Sequence, residues 1–410
     1  MQHEMHDYGQ PAADRQRDTM PDPDEPLPKD FRAWSYTALK LTVPLVVVGA
    51  LFFLGPHIGV GFNTGPPDVK FSSAFETCAP LAGALNITLY KNESLAPSPL
   101  PYSHAGSDGE QIIKLFQTLG RSTVWKSVAN ISLEGDTFEP EGMVRLSDDR
   151  YVVSCGEYTE HTEKYGETIN GTDRTAGQGF AHLMVYNGKG QRIADASITK
   201  KGESEYHNGG LDYDGEFIWG TIGQYRPNST AYVYRTDPTT LEPEQVLQYA
   251  DHLGGIVHDT LLNTITTLNW GARNATTWDL TRAKTGCDAT PKPTTVVRNP
   301  SYFVDYQDCK WLGHSKFYDG KSVMLCSGVA TIGSYSLGGV ALVDVATMVP
   351  LAEVPIALES ALGVRLTQNP VDVSVEDGKL RFYWIPDQHN STLYIYEAQL
   401  DSPFQYGGGH

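Results

Sequence analysis

The chain has 410 residues with 49 acidic and 31 basic side chains, which gives a formal net charge of −18. This charge excludes a nucleic-acid-binding role, because such a protein needs a basic face to neutralise phosphates. With 40 glycines, 22 tyrosines and only 20% charged residues, the composition favours packed sheets with many turns over a helical bundle.

The sequence of the N-terminal region predicts a tail followed by a membrane anchor. Residues 1–40 are polar, acidic and proline-rich, which predicts a disordered tail. Residues 41–62 carry no charge, and about 20 apolar residues span a bilayer. A signal peptide is disfavoured by the distance of this segment from the N-terminus, and a buried core helix is the other alternative. We therefore predict a single-pass signal anchor.

The orientation of the predicted anchor follows from its flanking charges. Lys29, Arg32 and Lys40 precede the segment, whereas only Lys70 follows it closely. The positive-inside rule then places the tail in the cytoplasm and the rest of the chain in the secretory-pathway lumen or outside the cell.

Seven Asn-X-Ser/Thr sequons follow the predicted anchor, and none precedes it. Because N-glycans are added in the secretory pathway, this distribution agrees with export; chance in a chain rich in Asn and Thr is the alternative. The acceptor residues are Asn86, Asn92, Asn130, Asn170, Asn228, Asn274 and Asn390.

All five cysteines also follow the predicted anchor: Cys78, Cys155, Cys287, Cys309 and Cys326. They allow up to two disulfides and one unpaired thiol, and the spacing does not determine the pairing. No C-x-x-C spacing occurs, which disfavours a redox motif or a structural zinc site.

Residues 125–400 repeat a unit of four predicted strands. Asp-Gly pairs at Asp214, Asp319 and Asp377 indicate tight hairpins, since these turns need positive φ angles. A second pair of strands follows each hairpin, as in 231–235 and 244–249. Four short strands per unit are typical of the blades of a β-propeller.

The number of units predicts an all-β, five-bladed β-propeller. The inner strands are expected to begin near Glu141, Gly209, Gly254, Gly313 and Pro370. The last unit lacks a fourth strand, and the segment 125–133 before the first unit has no partner. We expect this segment to complete the last blade and to close the ring.

Two other architectures compete with five blades. A six-bladed propeller requires a divergent blade within residues 70–120 or 285–312, and a two-sheet sandwich explains the repeat poorly. In the five-bladed interpretation, residues 63–124 form a lumenal stalk or linker, 125–400 the propeller and 401–410 a flexible C-terminus.

The topology of a propeller predicts the place of a site. Inner strands begin at one mouth of the central channel, and the loops after the second strands return to that mouth. Units two and three begin with His-x-Gly-Gly at His207 and His252, unit one with Glu141, and unit four with Asp308 or His314, because its register is ambiguous. His207, His252, Glu141 and Asp308 are the candidate catalytic residues.

The loops and the remaining strand starts supply polar and aromatic side chains at the same mouth. The loop of residues 158–178 is long, which predicts a lid or an exposed surface insertion. The candidate substrate-binding residues are Glu157, Gln224, Arg226, Trp270, Arg273, Asn369 and Asp387.

Three interpretations of this ring stay open. Histidines and carboxylates could act as acids and bases, or two histidines and one or two carboxylates could bind a divalent metal. Alternatively, they form hydrogen bonds around a water-filled channel. We predict no cofactor and assign no metal ligands.

The strings beginning at Glu139 (EPEGM), Tyr206 (YHNGGL) and His252 (HLGGI) resemble a family of fungal propeller proteins with an N-terminal anchor or signal. The resemblance covers roughly residues 125–400. Some members are hetero-Diels–Alderases of tropolone–sesquiterpenoid biosynthesis, which dehydrate a hydroxylated tropolone to an ortho-quinone methide and couple it to humulene. No catalytic residue is transferred from the family.

The resemblance implies a membrane-attached pericyclase acting on polyketide and terpenoid substrates. Trp219, Trp270, Trp311, Trp384 and Tyr225 are candidates for the channel wall, with packing between blades as the alternative. Two other functions remain open: a metal-dependent lactonase or related hydrolase on the same scaffold, and a non-catalytic glycoprotein that binds a ligand.

Overall fold

The computed structural model describes residues 86–120, 123–286, 289–301 and 305–399. The predicted tail, the predicted anchor and the C-terminal residues 401–410 lie outside them. In the described part of the chain, no helix has the length and apolar character needed to cross a membrane.

The described residues form 24 strands and one α-helix, α1 (Gly109–Phe116). In chain order the strands are β1 (Asn86–Leu89), β2 (Val124–Ser132), β3 (Glu139–Ser147), β4 (Arg150–Glu160), β5 (Lys164–Ile169), β6 (Thr172–Arg174), β7 (Gln178–Tyr186), β8 (Arg192–Ser197), β9 (His207–Asn208), β10 (Asp212–Tyr213), β11 (Ile218–Gly223), β12 (Ala231–Thr236), β13 (Pro243–Tyr249), β14 (Gly255–Asp259), β15 (Thr264–Leu268), β16 (Asn274–Asp279), β17 (Thr295–Arg298), β18 (Asp305–Ser315), β19 (Lys321–Ile332), β20 (Tyr335–Asp344), β21 (Pro350–Ile356), β22 (Val371–Glu376), β23 (Lys379–Trp384) and β24 (Thr392–Gln399).

The strands confirm the five-bladed propeller. Blade 1 has the order β3-β4-β7-β8, with β1 added at its outer edge, and blade 2 runs from β9 and β10 through β11 and β12 to β13. Blades 3 and 4 are β14 to β17 and β18 to β21 in sequence order. Blade 5 has the order β22-β23-β24-β2. The regions proposed for a sixth blade instead supply β1, α1, the outer strand β17 and the inner strand β18.

The ring closes as predicted. The outermost strand of blade 5 is β2, which precedes blade 1 in the sequence. β2 pairs antiparallel with β24, with Trp125 opposite Ala398. The Trp125 ring packs against Phe382 and Trp384, at centroid distances of 5.5 and 6.0 Å. This pairing supplies the missing fourth strand and joins the two ends of the repeat.

One of the three predicted Asp-Gly turns has the expected two-residue geometry. Asp377 and Gly378 both have positive φ, at 51° and 75°, and they form the two-residue loop between β22 and β23. These are the angles of the two-residue hairpin turns that match strand twist. Asp319 and Gly320 also have positive φ, at 53° and 77°, but they end a five-residue loop between Ser315 and Lys321. At the third predicted turn only Gly215 has positive φ, at 103°.

The inner strand of blade 4 begins earlier than predicted. It starts at Asp305, whereas the sequence placed its start near Gly313. Gly313 has a φ of 102° and lies at a register shift in the middle of β18. This glycine therefore accommodates a bulge rather than marking a blade start.

Buried apolar side chains form a layer at each junction between neighbouring blades. Leu183 and Ile218 belong to the cluster between blades 1 and 2, while Trp219 and Trp278 lie between blades 2 and 3. Trp311 packs between blades 3 and 4. Trp219, Trp311 and Trp384 thus have the packing role that was the alternative to lining the channel.

Residues 86–119, which the sequence assigned to a stalk, contact the propeller. β1 pairs with β8, with Asn86 opposite Ser197. Ile112 and Phe116 of α1 are buried in the cluster formed by blades 4 and 5. The described N-terminal segment therefore adds a strand to blade 1 and a helix against two other blades.

Cys309 and Cys326 form a disulfide between β18 and β19, where they are direct cross-strand partners. Cys155 is a buried free thiol, and Cys78 and Cys287 lie outside the described residues. Six of the seven sequon asparagines are exposed, and Asn274 is half-buried. Glycosylation stays a prediction.

Candidate functional site

A cavity of about 200 Å³ lies at the mouth of the channel where the inner strands begin. All five blades contribute to it, as the topological argument predicted. Of the predicted site residues, Glu141, His207, His252, Trp270 and Asn369 line the cavity. The complete lining is Glu139, Glu141, His207, Tyr225, His252, Gly254, Asn269, Trp270, Gly271, Asp305, Tyr306, Gln307, Val329, Gln368 and Asn369.

The glycines after each histidine let blades 2 and 3 approach closely. The Gly210 amide donates to the Gly254 carbonyl at 2.7 Å, which links the two blade starts. A Cβ on Gly209 would overlap the same Gly254 oxygen. The repeated Gly-Gly therefore brings His207 and His252 together, with ring centroids 5.2 Å apart.

The surroundings of His207 favour its protonated, imidazolium form. It is buried, and its Nε2 lies 3.5 Å from Glu141 Oε1. Burial disfavours the charged ring, but the Glu141 and Glu139 carboxylates outweigh it and raise the pKa of His207. Its Nδ1 is buried and has no hydrogen-bond partner among the described residues. A proton on Nδ1 therefore makes no hydrogen bond to any described residue.

The surroundings of His252 instead favour its neutral form. Burial, and then the neighbouring His207, lower its pKa to about 3, so the ring is neutral at physiological pH. Its Nδ1 donates to the backbone carbonyl of Gln224 at 2.7 Å. Because that bond places the single ring proton on Nδ1, Nε2 carries a lone pair that can accept a proton or a hydrogen bond.

Glu139 is a cavity residue that sequence reasoning did not select. Burial, followed by the nearby Glu141 charge, raises its pKa to about 7. It accepts hydrogen bonds from the Tyr158 hydroxyl and, at 2.9 Å, from Gln388 Nε2. The Glu-x-Glu spacing was an available signal, because alternate residues of a strand face the same side.

Aromatic rings form one wall of the cavity, and the long loop reaches over them. Tyr225 stacks on His207 at 5.0 Å, and Trp270 meets His252 edge-on at 4.9 Å. The loop folds into the hairpin of β5 and β6, whose Arg174 lies 4.9 Å from the Trp270 ring and 5.5 Å from the Tyr225 ring. The base of the hairpin thus covers the cavity wall, while the Asn170 turn is exposed.

Asp308 lies deeper in the channel than the lining residues. Its carboxylate accepts from the backbone amides of Met143, Leu211 and Val371 at 3.0–3.2 Å. It also binds Lys310 Nζ at 2.7 Å, and both side chains are buried. Burial raises the pKa of Asp308 to about 6 against the opposing effect of Lys310. These contacts connect blade 4 with blades 1, 2 and 5.

The remaining predicted residues do not line the cavity. Glu157 Oε2 lies 3.5 Å from His182 Nε2. Gln224 donates to Glu205 and accepts from Arg226 Nε at 2.7 Å, so these two residues belong to a loop network. Arg273 is exposed, and the buried Asp387 accepts from Ser360 Oγ at 2.5 Å.

The described residues contain no cluster of three side chains that could bind a metal ion. Within residues 86–120, 123–286, 289–301 and 305–399, no group of three or more His, Cys, Asp or Glu side chains is arranged to hold a metal ion. His207, His252, Glu139 and Glu141 share the cavity without forming such a cluster.

Comparison with known proteins identifies the family. A model of a family of unknown function, DUF6454, matches residues 102–402, so the chain belongs to that family. No curated protein matches the chain. A luciferin-regenerating enzyme aligns with 68% of this chain and 95% of its own, at 9% identity and a TM-score of 0.34. A likeness this weak supports no inference about the site.

Proposed function

We propose that this member of the DUF6454 family is an enzyme that removes water from a hydroxylated substrate in the channel cavity. The observation that carries the proposal is the contact between two buried histidines with pKa values displaced in opposite directions. Environments that push two neighbouring groups apart in pKa assign one as acid and the other as base.

The proposed dehydration uses both histidines. His207 donates a proton to the departing hydroxyl as the carbon–oxygen bond breaks, which releases water. His252 Nε2 accepts the proton of a second hydroxyl, whose electron pair forms a new carbonyl as the ring electrons shift. From a hydroxylated tropolone the product is an ortho-quinone methide. Atoms and charge balance without a further reactant.

In the finer proposal, the protein is a hetero-Diels–Alderase of fungal secondary metabolism that couples this quinone methide to a humulene-type sesquiterpene. Its support is the sequence resemblance together with the aromatic wall of Tyr225 and Trp270. Coupling forms one carbon–carbon and one carbon–oxygen bond and requires orientation rather than proton transfer. A cavity of about 200 Å³ suits one ring, so the terpene would approach at the mouth beneath Arg174.

The test is turnover of a hydroxylated tropolone with humulene by the full-length protein, followed by mass spectrometry. A thiol added in place of humulene traps the quinone methide and reports dehydration alone. We expect His207→Gln to lower kcat/KM about 10²- to 10⁴-fold. His389→Gln is the control, since that side chain is 65% exposed and lies outside the cavity lining. Full activity of His207→Gln would contradict the proposed acid.

The two alternative functions give different results in the same preparation. A metal-dependent lactonase would contain a stoichiometric divalent metal and hydrolyse lactones, and chelation would abolish that activity. A ligand-binding glycoprotein would bind a ring compound but form neither the thiol adduct nor the cycloadduct. Absence of both adducts with the wild-type protein would remove the dehydration proposal.

A further inference from the structure

Asp305 is an acidic residue of the cavity wall. It is the first residue of β18, in blade 4, and it lines the same cavity as the histidines of blades 2 and 3. Its Oδ1 is buried and has no hydrogen-bond partner among the described residues. A buried acceptor without a donor is destabilising, and more so when it is charged. Because Asp305 lines the cavity, a donor on a molecule bound there can supply the hydrogen bond that its carboxylate lacks.

The described neighbours of Asp305 approach atoms other than Oδ1. A Cβ placed on Gly271 would lie 3.7 Å from Asp305 Oδ2 and 3.4 Å from Arg273 Nε. Oδ2 and the Arg273 side chain therefore share one side of the turn at Gly271, whose φ is +64°. The Asp305 backbone carbonyl accepts from Gln307 Nε2 at 3.4 Å. The described neighbours thus approach other atoms of this residue.

The charge state of Asp305 restricts what it can recognise. Burial raises its pKa to about 6, although Arg273 lowers it, so the carboxyl is mainly ionised at neutral pH. An ionised carboxylate only accepts hydrogen bonds. A ligand hydroxyl satisfies Oδ1, whereas an ether or hydrogen at that position leaves it unpaired. Sites built around a substrate hydroxyl strongly reject analogues that lack it.

We propose that Asp305 is a specificity-determining residue that accepts a hydrogen bond from a hydroxyl of a ring-sized ligand in the channel cavity. The inference deepens the proposed function and rests on it in one respect, that this cavity is the ligand site. It adds a requirement for a donor on the blade 4 side, separate from the histidines of blades 2 and 3.

Phenol and anisole test the inference directly. They differ by one hydroxyl donor, are uncharged at neutral pH and are small enough for the cavity. We expect the full-length protein to bind phenol at least about 10-fold more tightly than anisole by isothermal titration or ligand-observed NMR, a difference of about 1.4 kcal/mol. Asp305→Ala should reduce this preference to about 2-fold or less.

Two control variants and a pH series complete the test. Asp319→Asn removes a carboxylate from an exposed turn of the same blade and should keep the wild-type preference. Asp305→Asn should bind phenol with an intermediate preference, because the amide oxygen still accepts. The wild-type preference should weaken as pH falls below about 6, since protonation of Asp305 removes an acceptor.

The outcomes separate this inference from the proposed function. Equal binding of phenol and anisole, no binding of either, or an unchanged preference in Asp305→Ala would overturn the role of Asp305. A donor preference that disappears in Asp305→Ala, in a protein that forms no adduct from hydroxylated tropolones, would support Asp305 and contradict the dehydration proposal.

Discussion

The cavity differs from the region deeper in the channel, here called the lower channel, in the hydrogen bonding of its buried polar side chains. The residues of the lower channel are Asp212, Asp308, Lys310, Asp372 and His104. In the cavity, Asp305 Oδ1 and His207 Nδ1 are buried without partners among the described residues. In the lower channel, Asp212 accepts from the amides of His258 and Trp311. The carboxylates of the lower channel accept hydrogen bonds from neighbouring blades, whereas in the cavity Asp305 keeps one oxygen without a described partner.

This contrast shows that residue type alone does not locate a site in a propeller. Asp372 accepts from the backbone amides of Arg145 and Val373 and from His104 Nε2 at 2.6–3.0 Å. Such charge-assisted bonds replace the hydrogen bonds that neighbouring inner strands cannot make with one another. The hydrogen bonding of each carboxylate, rather than the presence of acidic residues as such, therefore distinguishes the cavity from the lower channel.

The largest expected effect is on stability, at the centre of the lower channel. Asp308→Ala leaves Lys310 buried without its ion-pair partner and leaves three backbone amides unpaired, so we expect a loss of about 3–5 kcal/mol in the free energy of unfolding. Urea denaturation measures it, with Asp319→Asn as a matched control expected to change stability by less than about 0.5 kcal/mol. A stable but inactive Asp308→Ala protein would instead assign Asp308 to catalysis.

The second prediction concerns the pH profile of the cavity. In the proposed mechanism the acid is protonated His207, so kcat/KM should fall as pH rises through the raised pKa of that ring. Glu141→Gln removes a carboxylate that favours the imidazolium, so this decline should move to lower pH. The measurement is kcat/KM for dehydration from pH 5 to 10. An unchanged profile would show that His207 is not the titrating acid.

The third prediction concerns pH-dependent stability in the lower channel. His104 bonds Asp108 at 2.8 Å and Asp372 at 3.0 Å; although burial opposes the charge, these partners raise its pKa from 6.5 to about 10. Its stabilising effect is therefore complete below about pH 6.5 and lost as pH rises through about 10. Relative to the wild type, His104→Gln should lower Tm by a few °C at pH 6 and by less at pH 10.5, measured by circular dichroism. A constant difference would contradict this linkage.

The smallest expected effect is at the hairpin over the cavity. Arg174→Ala removes cation–π contacts with Trp270 and Tyr225, each worth about 0.5–2 kcal/mol. We expect kcat/KM to fall about 2- to 10-fold, mainly through KM, because the hairpin covers the mouth without contacting the reacting atoms. Glu167→Gln, an exposed change in the same hairpin, is the control. An equal loss in both variants would show that the hairpin matters only for stability.

Much of the fold could be predicted because its signals are local. The Asp377-Gly378 turn needs positive φ at both residues, and the alternating strands around it identify a hairpin. Closure by β2 was also predicted from the sequence, because the last unit lacked a fourth strand and the segment 125–133 lacked a partner. The start of blade 4 was misplaced because Gly313 supports a bulge within β18, and a glycine alone does not distinguish these two uses.

The site was predictable only in part. The shared His-x-Gly-Gly predicted that His207 and His252 lie together at the mouth, where both line the cavity, and their catalytic roles stay predictions. Glu139 was not selected although its Glu-x-Glu spacing was a signal, and Asp305 was not selected because its unpaired buried oxygen has no local sequence signal. Glycosylation, membrane attachment and the exported location stay predictions.

By itself, the amino-acid sequence determined the repeat, the turns, the closing strand and the pair of histidines, because these depend on backbone preferences and on spacing along the chain. Only the tertiary structure decided which polar groups remain available. Asp308 and Asp305 are three residues apart on one strand, yet the first accepts from three amides and a lysine while the second has an oxygen facing no donor among the described residues. That difference arises from the neighbouring blades, whose approach to each carboxylate is a property of the closed ring.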